Sequence, residues 1–337
     1  MVPAASNFRG VNLMKRFAQH SFAAIAALSM LPAWGQSGAP AYPVRPIRIV
    51  VSLAAGGGVD TSARIVAQKL TEAWGQQMVV ENRPGAGGTI ATELVARAAP
   101  DGYTLLMTSS AFAITPSYYK LSYDAVRDYA PVMRVVLSPH ILAVHPSVPV
   151  RSVRELLALA KARPNELLWS SSGSGSPQHL AVALLNMMAG VKIVHVPYKG
   201  TAPSINDLIG GRVSATAASV VSTLPHVQTG RLRALAVLSS KRSEAVPQYP
   251  SVAEAGVPGY ELDVWYALFA PAGTPKDIIT KLNDEIARHL AQPELKQRMF
   301  ALGLEPAAMP AEKFAPYVLA EMAKWAKVVK AAGITAE

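Results

Sequence analysis

Residues Ile47-Arg48-Ile49-Val50-Val51-Ser52-Leu53-Ala54-Ala55-Gly56-Gly57-Gly58-Val59-Asp60 decide the fold. The opening β-branched run is short enough to be a buried strand. The glycines then turn the chain, and beyond them Val59, Ala63, Val66 and Leu70 recur at helical spacing. The same strand, glycine turn and helix recur from Met78-Val79-Val80 through Asn82-Arg83-Pro84-Gly85-Ala86-Gly87-Gly88 into an Ala-rich helix ending near Ala98, and residues 103–107 make a third strand. Alternating β and α elements predict an α/β fold with a parallel sheet.

Further along, residues 141–145 read as a strand leading to Pro146 and Pro149. Val153, Leu156, Leu157 and Ala160 then share a helix face, and residues 167–170 form the next strand. A second lobe is expected here, continuing through the turn at 171–177, a helix to about Met188, a strand at 193–196, a short helix ending near Leu208, and strands near Val213 and Leu235. Residues 264–270 are strand-like. Ile278, Leu282, Ile286 and Leu290 lie on one helix face, and Phe314, Val318, Met322, Trp325 and Val329 on another. Lacking strands between them, these last helices are expected to pack back on the first sheet. The first lobe would then comprise residues 42–142 with 262–337, the second 143–261, with a hinge near His145 and Glu261.

Half of the 337 residues are apolar, enough for a substantial core. Residues 1–36 contain no acid, carry Lys15 and Arg16 before an apolar run at 22–31, and end in Ala33-Trp34-Gly35, the pattern of a secretory signal peptide cut near Gln36. Met14, directly before Lys15, is a second candidate start; an uncut N-terminal anchor is the alternative reading. The chain has no cysteine, which excludes disulfides, thiolate catalysis, Cys-based zinc sites and a lipidated anchor. Loss of Arg9, Lys15 and Arg16 with the leader takes the net charge from +10 to +7, a balance that favours anionic ligands. The basic residues are scattered, which sets nucleic acid aside.

Glycine- or serine-rich loops stand between strand and helix at residues 54–60, 82–89 and 170–178. Each aims helix N-terminal amides at one edge, where the positive end of the helix dipole attracts an anion. Glycine permits close approach, and Ser171, Ser172, Ser174 and Ser176 add hydroxyl donors. Any one loop reads equally well as a tight βα connection, with Asp60 as a helix cap; three in one chain favour ligand contact. Dinucleotide binding is excluded because Thr61 and Ile90 occupy the third glycine position of the fingerprint. No Gly-x-Ser-x-Gly elbow or pairing of a nucleophile with its base is readable, and the histidines show no metal-ligand spacing, so neither catalysis nor a cofactor or metal is expected. His179 reads as a polar cap or lobe-interface residue and His195 as interior or hinge-adjacent. In Tyr198-Lys199-Gly200, Tyr198 could wall a ligand and Lys199 steer an anion, or the segment could be an ordinary exposed turn.

Tyr42-Pro43-x-x-Pro46-Ile47-Arg48, Gly56-Gly57-Gly58-x-Asp60 and the run from Glu81 to Gly88 together resemble the Bug family, the periplasmic binding proteins of tripartite tricarboxylate transporters. Pro100-Asp101-Gly102-Tyr103, His195-Val196-Pro197-Tyr198-Lys199-Gly200, Leu232-Arg233-Ala234-Leu235 and Ala270-Pro271-Ala272-Gly273-Thr274-Pro275 continue the resemblance in order to the end of the chain. It implies a type II periplasmic binding fold, two βα lobes joined by two crossover segments around a ligand cleft, that closes on a small carboxylate without transforming it.

Carried over by position, the resemblance places first-lobe contacts at Leu53, Ala54, Ala55, Gly56 and Gly57, with Thr108 and Ser109 at the next strand end. Second-lobe contacts fall at Ser171, Ser172, Gly173 and Ser174, and Tyr198, Ala218 and Ser219 complete the wall. Ser52-Leu53 stands where the family usually has Pro-Phe, and Ala217-Ala218-Ser219 where it often has an aromatic residue followed by Asp. With no acid at Ala218 to meet a ligand ammonium, a dicarboxylate, tricarboxylate or aromatic acid is expected over an amino acid. A monomer is expected, with the membrane components of such a transporter as its partners. A membrane sensor kinase is the alternative partner, and a periplasmic enzyme on the same fold the alternative of another class.

Overall fold

β1 (Ile47–Val51) forms over the residues predicted, and all but Arg48 are buried. In the computed structural model, which describes residues 42–198 and 200–335, it pairs in parallel with β2 (Met78–Asn82) and β3 (Thr104–Ser109). The expected leader and Lys199 lie outside the described residues. β4 (Tyr129–Leu137) leads from this sheet into a second one, built of β5 (His140–Val144), β6 (Leu168–Ser171), β7 (Val194–Pro197), β8 (Ala215–Ser219) and β9 (Arg233–Val237). β10 (Trp265–Pro271) and β11 (Glu305–Pro310) return to the first. The orders are β11-β4-β10-β3-β1-β2 and β7-β6-β8-β5-β9.

Parallel pairing is confined to β1 with β2 and β3 and to β6 with β7 and β8, so the parallel-sheet expectation is corrected: both sheets are mixed. β10 runs antiparallel to β3 and β4, and β5 antiparallel to β8 and β9. The cause is the double crossing. The chain leaves the first sheet at Leu137 and re-enters at Trp265, which is its register partner, so β10 must run back along β4. In the second sheet β5 begins and β9 ends at the same edge, where Ile141 opposes Val237.

The two crossings run side by side. The Ser138 amide donates to the Val264 carbonyl at 2.7 Å and the Leu238 amide to the His140 carbonyl at 3.0 Å. The first crossing is therefore Ser138-Pro139, earlier than the hinge expected near His145 and the lobe boundary expected after residue 142. His145 sits past the far end of β5, its ring against Gly211.

Ten α-helices are described: α1 (Gly58–Trp74), α2 (Thr89–Ala96), α3 (Ala111–Ile114), α4 (Val153–Ala162), α5 (Pro177–Ala189), α6 (Thr201–Ile209), α7 (Val220–Gln228), α8 (Lys276–Leu290), α9 (Pro293–Ala301) and α10 (Ala311–Ala332). Their ends obey local chemistry. Ser176 caps α5 by accepting the His179 amide, Pro177 occupies its first turn, and Gly190 ends it in the left-handed region.

α10 departs from the expectation that the last helices lie on the first sheet alone. Phe314 and Val318 belong to the first lobe's core with Phe112, Trp265 and Phe269. Trp325, Val328 and Val329 are buried with Leu180, Leu184 and Trp169 of the second. One helix thus packs into both lobes.

Candidate functional site

Both glycine/serine loops leave the carboxyl ends of parallel strands. In the first lobe, Ser52 is buried just past β1, and its hydroxyl donates to Thr108 Oγ1 at 2.9 Å, tying together the ends of β1 and β3. Thr108 and Ser109 are themselves buried, whereas residues 53–57 are exposed.

A polar network behind the exposed loop sets its shape. Gly56, at φ +81°, donates its amide to Asp60 Oδ2 at 2.9 Å, and Arg64 Nε donates to the same oxygen. Asn82 holds the Leu53 carbonyl at 3.0 Å. Burial alone would raise the Asp60 carboxyl, but the bonds from Arg64, Gly56 and Asn82 hold it below the ordinary aspartate value. Gly58 is required for space: a Cβ there would lie 2.6 Å from the Tyr266 hydroxyl.

In the second lobe, β6 ends at Ser171, which is fully buried. Its Oγ lies 2.6 Å from His195 Nε2 and 3.1 Å from both the amide nitrogen and the carbonyl oxygen of Gly173. Ser171 therefore supports the loop from beneath, while Ser172 and Gly173 are half-buried and Ser174 is exposed. Ser172 Oγ donates to Gln178 Oε1 at 2.9 Å, and the Gly175 amide donates to His179 Nδ1 at 3.1 Å. The loop after β7 closes the other side, where the Tyr198 amide bonds the Ser171 carbonyl and the Gly200 amide that of Ser172. Tyr118 of the first lobe reaches across to this loop, and a Cβ on Gly175 would stand 2.6 Å from its hydroxyl.

The remaining predicted positions divide. Ala218 is buried in β8, opposite Ile141. Ser219, half-exposed at the start of α7, shares a hydrogen bond with Ser222 Oγ at 2.8 Å. Tyr198 directs its hydroxyl to Asp207 Oδ2 at 2.8 Å, and its ring packs against the core cluster that includes Ile141, Leu208 and Val213.

The sequence offered His179 as a polar cap or lobe-interface residue and His195 as interior or hinge-adjacent, but not their meeting beneath the loop. His179 and His195 stack with ring centroids 3.6 Å apart and planes within 5° of parallel. Burial lowers the pKa of His179. For His195, burial and then the neighbouring His179 lower it to about 4. At neutral pH the loop therefore rests on uncharged rings, and it offers amides and hydroxyls rather than a cation. Because these residues come from separate elements, no local spacing signals their meeting; Gly175 and His179, four apart across a helix start, were the nearest clue. Among the described residues, no cluster of three or more His, Cys, Asp or Glu could hold a metal.

Residues 62–334 match the model of the tripartite tricarboxylate transporter family receptor. The chain is 37% identical to Protein BugT of Bordetella pertussis over 301 residues, 88% of this chain and 91% of that protein. It is similar to the solved structure of R. palustris Rpa4515 with adipate (39% identity, TM-score 0.75, covering 87% of this chain and 99% of that one). It also resembles MatC from Rhodopseudomonas palustris with bound malate (33% identity, TM-score 0.69, covering 86% and 100%).

Proposed function

Because this chain belongs to the family of tripartite tricarboxylate transporter receptors, we propose that it captures a small dicarboxylate between its lobes in the periplasm and delivers it to the membrane components of such a transporter. The observation that carries the reading is the pair of loops, residues 53–57, exposed throughout, and 172–174, half-buried up to an exposed Ser174, each leaving the carboxyl end of a parallel strand ahead of a helix. Amides at such ends favour carboxylate oxygens. Micromolar affinity requires about 8 kcal/mol, and one hydrogen bond to a charged group nets only about 1.5–3 kcal/mol. Several donors must converge, so both loops contribute, with buried Ser171 and Thr108 as their supports. Solved relatives with adipate and malate point to the same ligand class.

Ser171 and His195 form a hydroxyl–imidazole pair of the type hydrolases use, which raises the enzyme reading again. Burial argues against it. The Ser171 side chain has no access to a substrate, and its oxygen is engaged within its own loop.

Titration calorimetry with adipate, malate, aromatic acids and α-amino acids tests the proposal. A dicarboxylate is expected to bind tightest and to be recovered unaltered. Preferential binding of an α-amino acid, or turnover of the ligand, would overturn it.

A further inference from the structure

The stacked imidazoles beneath the second loop hold it at both ends. His195 Nε2 meets Ser171 Oγ at 2.6 Å where the loop begins, and His179 Nδ1 accepts the Gly175 amide at 3.1 Å where it finishes. An imidazole that accepts at Nδ1 carries no proton there. His179 is thus neutral with its hydrogen on Nε2, and Gly175 is held at φ +73°. The side chains lining the cavity of about 350 Å³ beside the pair include Val182, Ala183, Asn186, Ala331 and Ala332 from α5 and α10, none of them charged.

We propose that His179 and His195 are positioning residues for ligand capture: as a neutral stacked pair they set the geometry of the Ser172–Gly175 loop, and a proton on His179 releases it. The inference rests on reading this loop as half of the carboxylate site. Protonation at Nδ1 turns an acceptor into a donor facing another donor, the Gly175 amide, and the bond that shapes the loop is lost. Two protons cannot share the stack, because like charges at 3.6 Å repel. The lowered pKa of both rings keeps this event on the acid side of neutrality.

The test is adipate affinity by calorimetry for the wild type and three variants between pH 7.5 and 5.5, with folding checked by circular dichroism. His179→Asn, whose amide oxygen replaces Nδ1 as acceptor, should bind within about threefold of the wild type at pH 7.5; His179→Leu should lose about tenfold, the equivalent of one hydrogen bond. As the pH falls, the wild type should weaken relative to His179→Asn; the ligand's own ionisation cancels in that ratio. Ser174→Trp, which fills the exposed loop, separates the two claims. If it binds as the wild type, the site reading fails. If it loses binding while His179→Leu retains it, or wild-type affinity rises relative to His179→Asn in acid, the positioning role fails. Should His179→Leu not fold, nitrogen-15 NMR of the wild type decides: a neutral His179 at pH 7 whose protonation shifts the Gly175 amide supports the role, and a charged ring or an unmoved amide overturns it.

Discussion

Three consecutive glycines look interchangeable in the sequence and are not so in the fold. Gly57 has φ −80°, and a Cβ there would touch only the Ala54 carbonyl at 3.5 Å. Gly58 would press a Cβ into the Tyr266 ring. Gly57→Val should therefore leave the melting temperature within a few degrees of the wild type and weaken dicarboxylate binding by about tenfold or more through blocked amide approach. Gly58→Ala should cost about 1–3 kcal/mol of stability, as overpacking does. Calorimetry and thermal melts on both variants separate the roles; equal effects from the two substitutions would refute the assignment. The third position, Gly56, is the one whose backbone demands glycine, at φ +81°.

At the scale of elements, strands buried between helices were readable because β-branched runs bounded by glycine turns have few other solutions. β4 was missed: Pro131 and Arg134 interrupt its hydrophobic run, and it pairs through register shifts. β11 was missed because its Pro- and Ala-containing sequence carries no strand period, and α7 because Pro225 lies within it. α10 was legible as an amphipathic helix, but not its dual address. Trp325 sits in the second lobe's core with its ring nitrogen donating to buried Glu321 at 2.9 Å, while Phe314 on the same helix packs in the first. Trp325→Ala should destabilise the protein by about 3–5 kcal/mol, since it leaves a large cavity and removes a hydrogen bond from a buried carboxylate. A urea titration that shows a loss below 1 kcal/mol would place the helix end outside the core.

Over the whole molecule, histidines withdrawn wholly or partly from water make acid a destabilising condition in a defined window. His140, at the first crossing, is buried with Nδ1 donating to the Ser138 carbonyl at 2.9 Å, and its pKa is lowered to about 4; His195 is lowered to the same value. Between the ordinary value of 6.5 and about 4, the unfolded chain binds more protons than the folded one, so stability falls as pH falls. The contribution is complete above about 6.5, and for His140 alone is on the order of 3 kcal/mol. The lowered carboxyl of Asp60 acts later, below its ordinary 3.8. Melting temperatures measured from pH 7.5 to 4.5 should decline in the wild type and decline less in His140→Asn; a flat profile in the wild type would contradict the burial. By itself the sequence determined the α/β class, the two-lobed plan, the family and the strand–loop–helix units, because periodicity, turn residues and motif order act over neighbouring positions. Only the tertiary structure decided which strands run antiparallel, where the crossings lie, that α10 joins both cores, that Ser171 is buried, and that two histidines stack beneath the loop. Those facts depend on contacts between residues far apart in the chain, and they are set by the path of the double crossing and by which side chains fill the space it leaves.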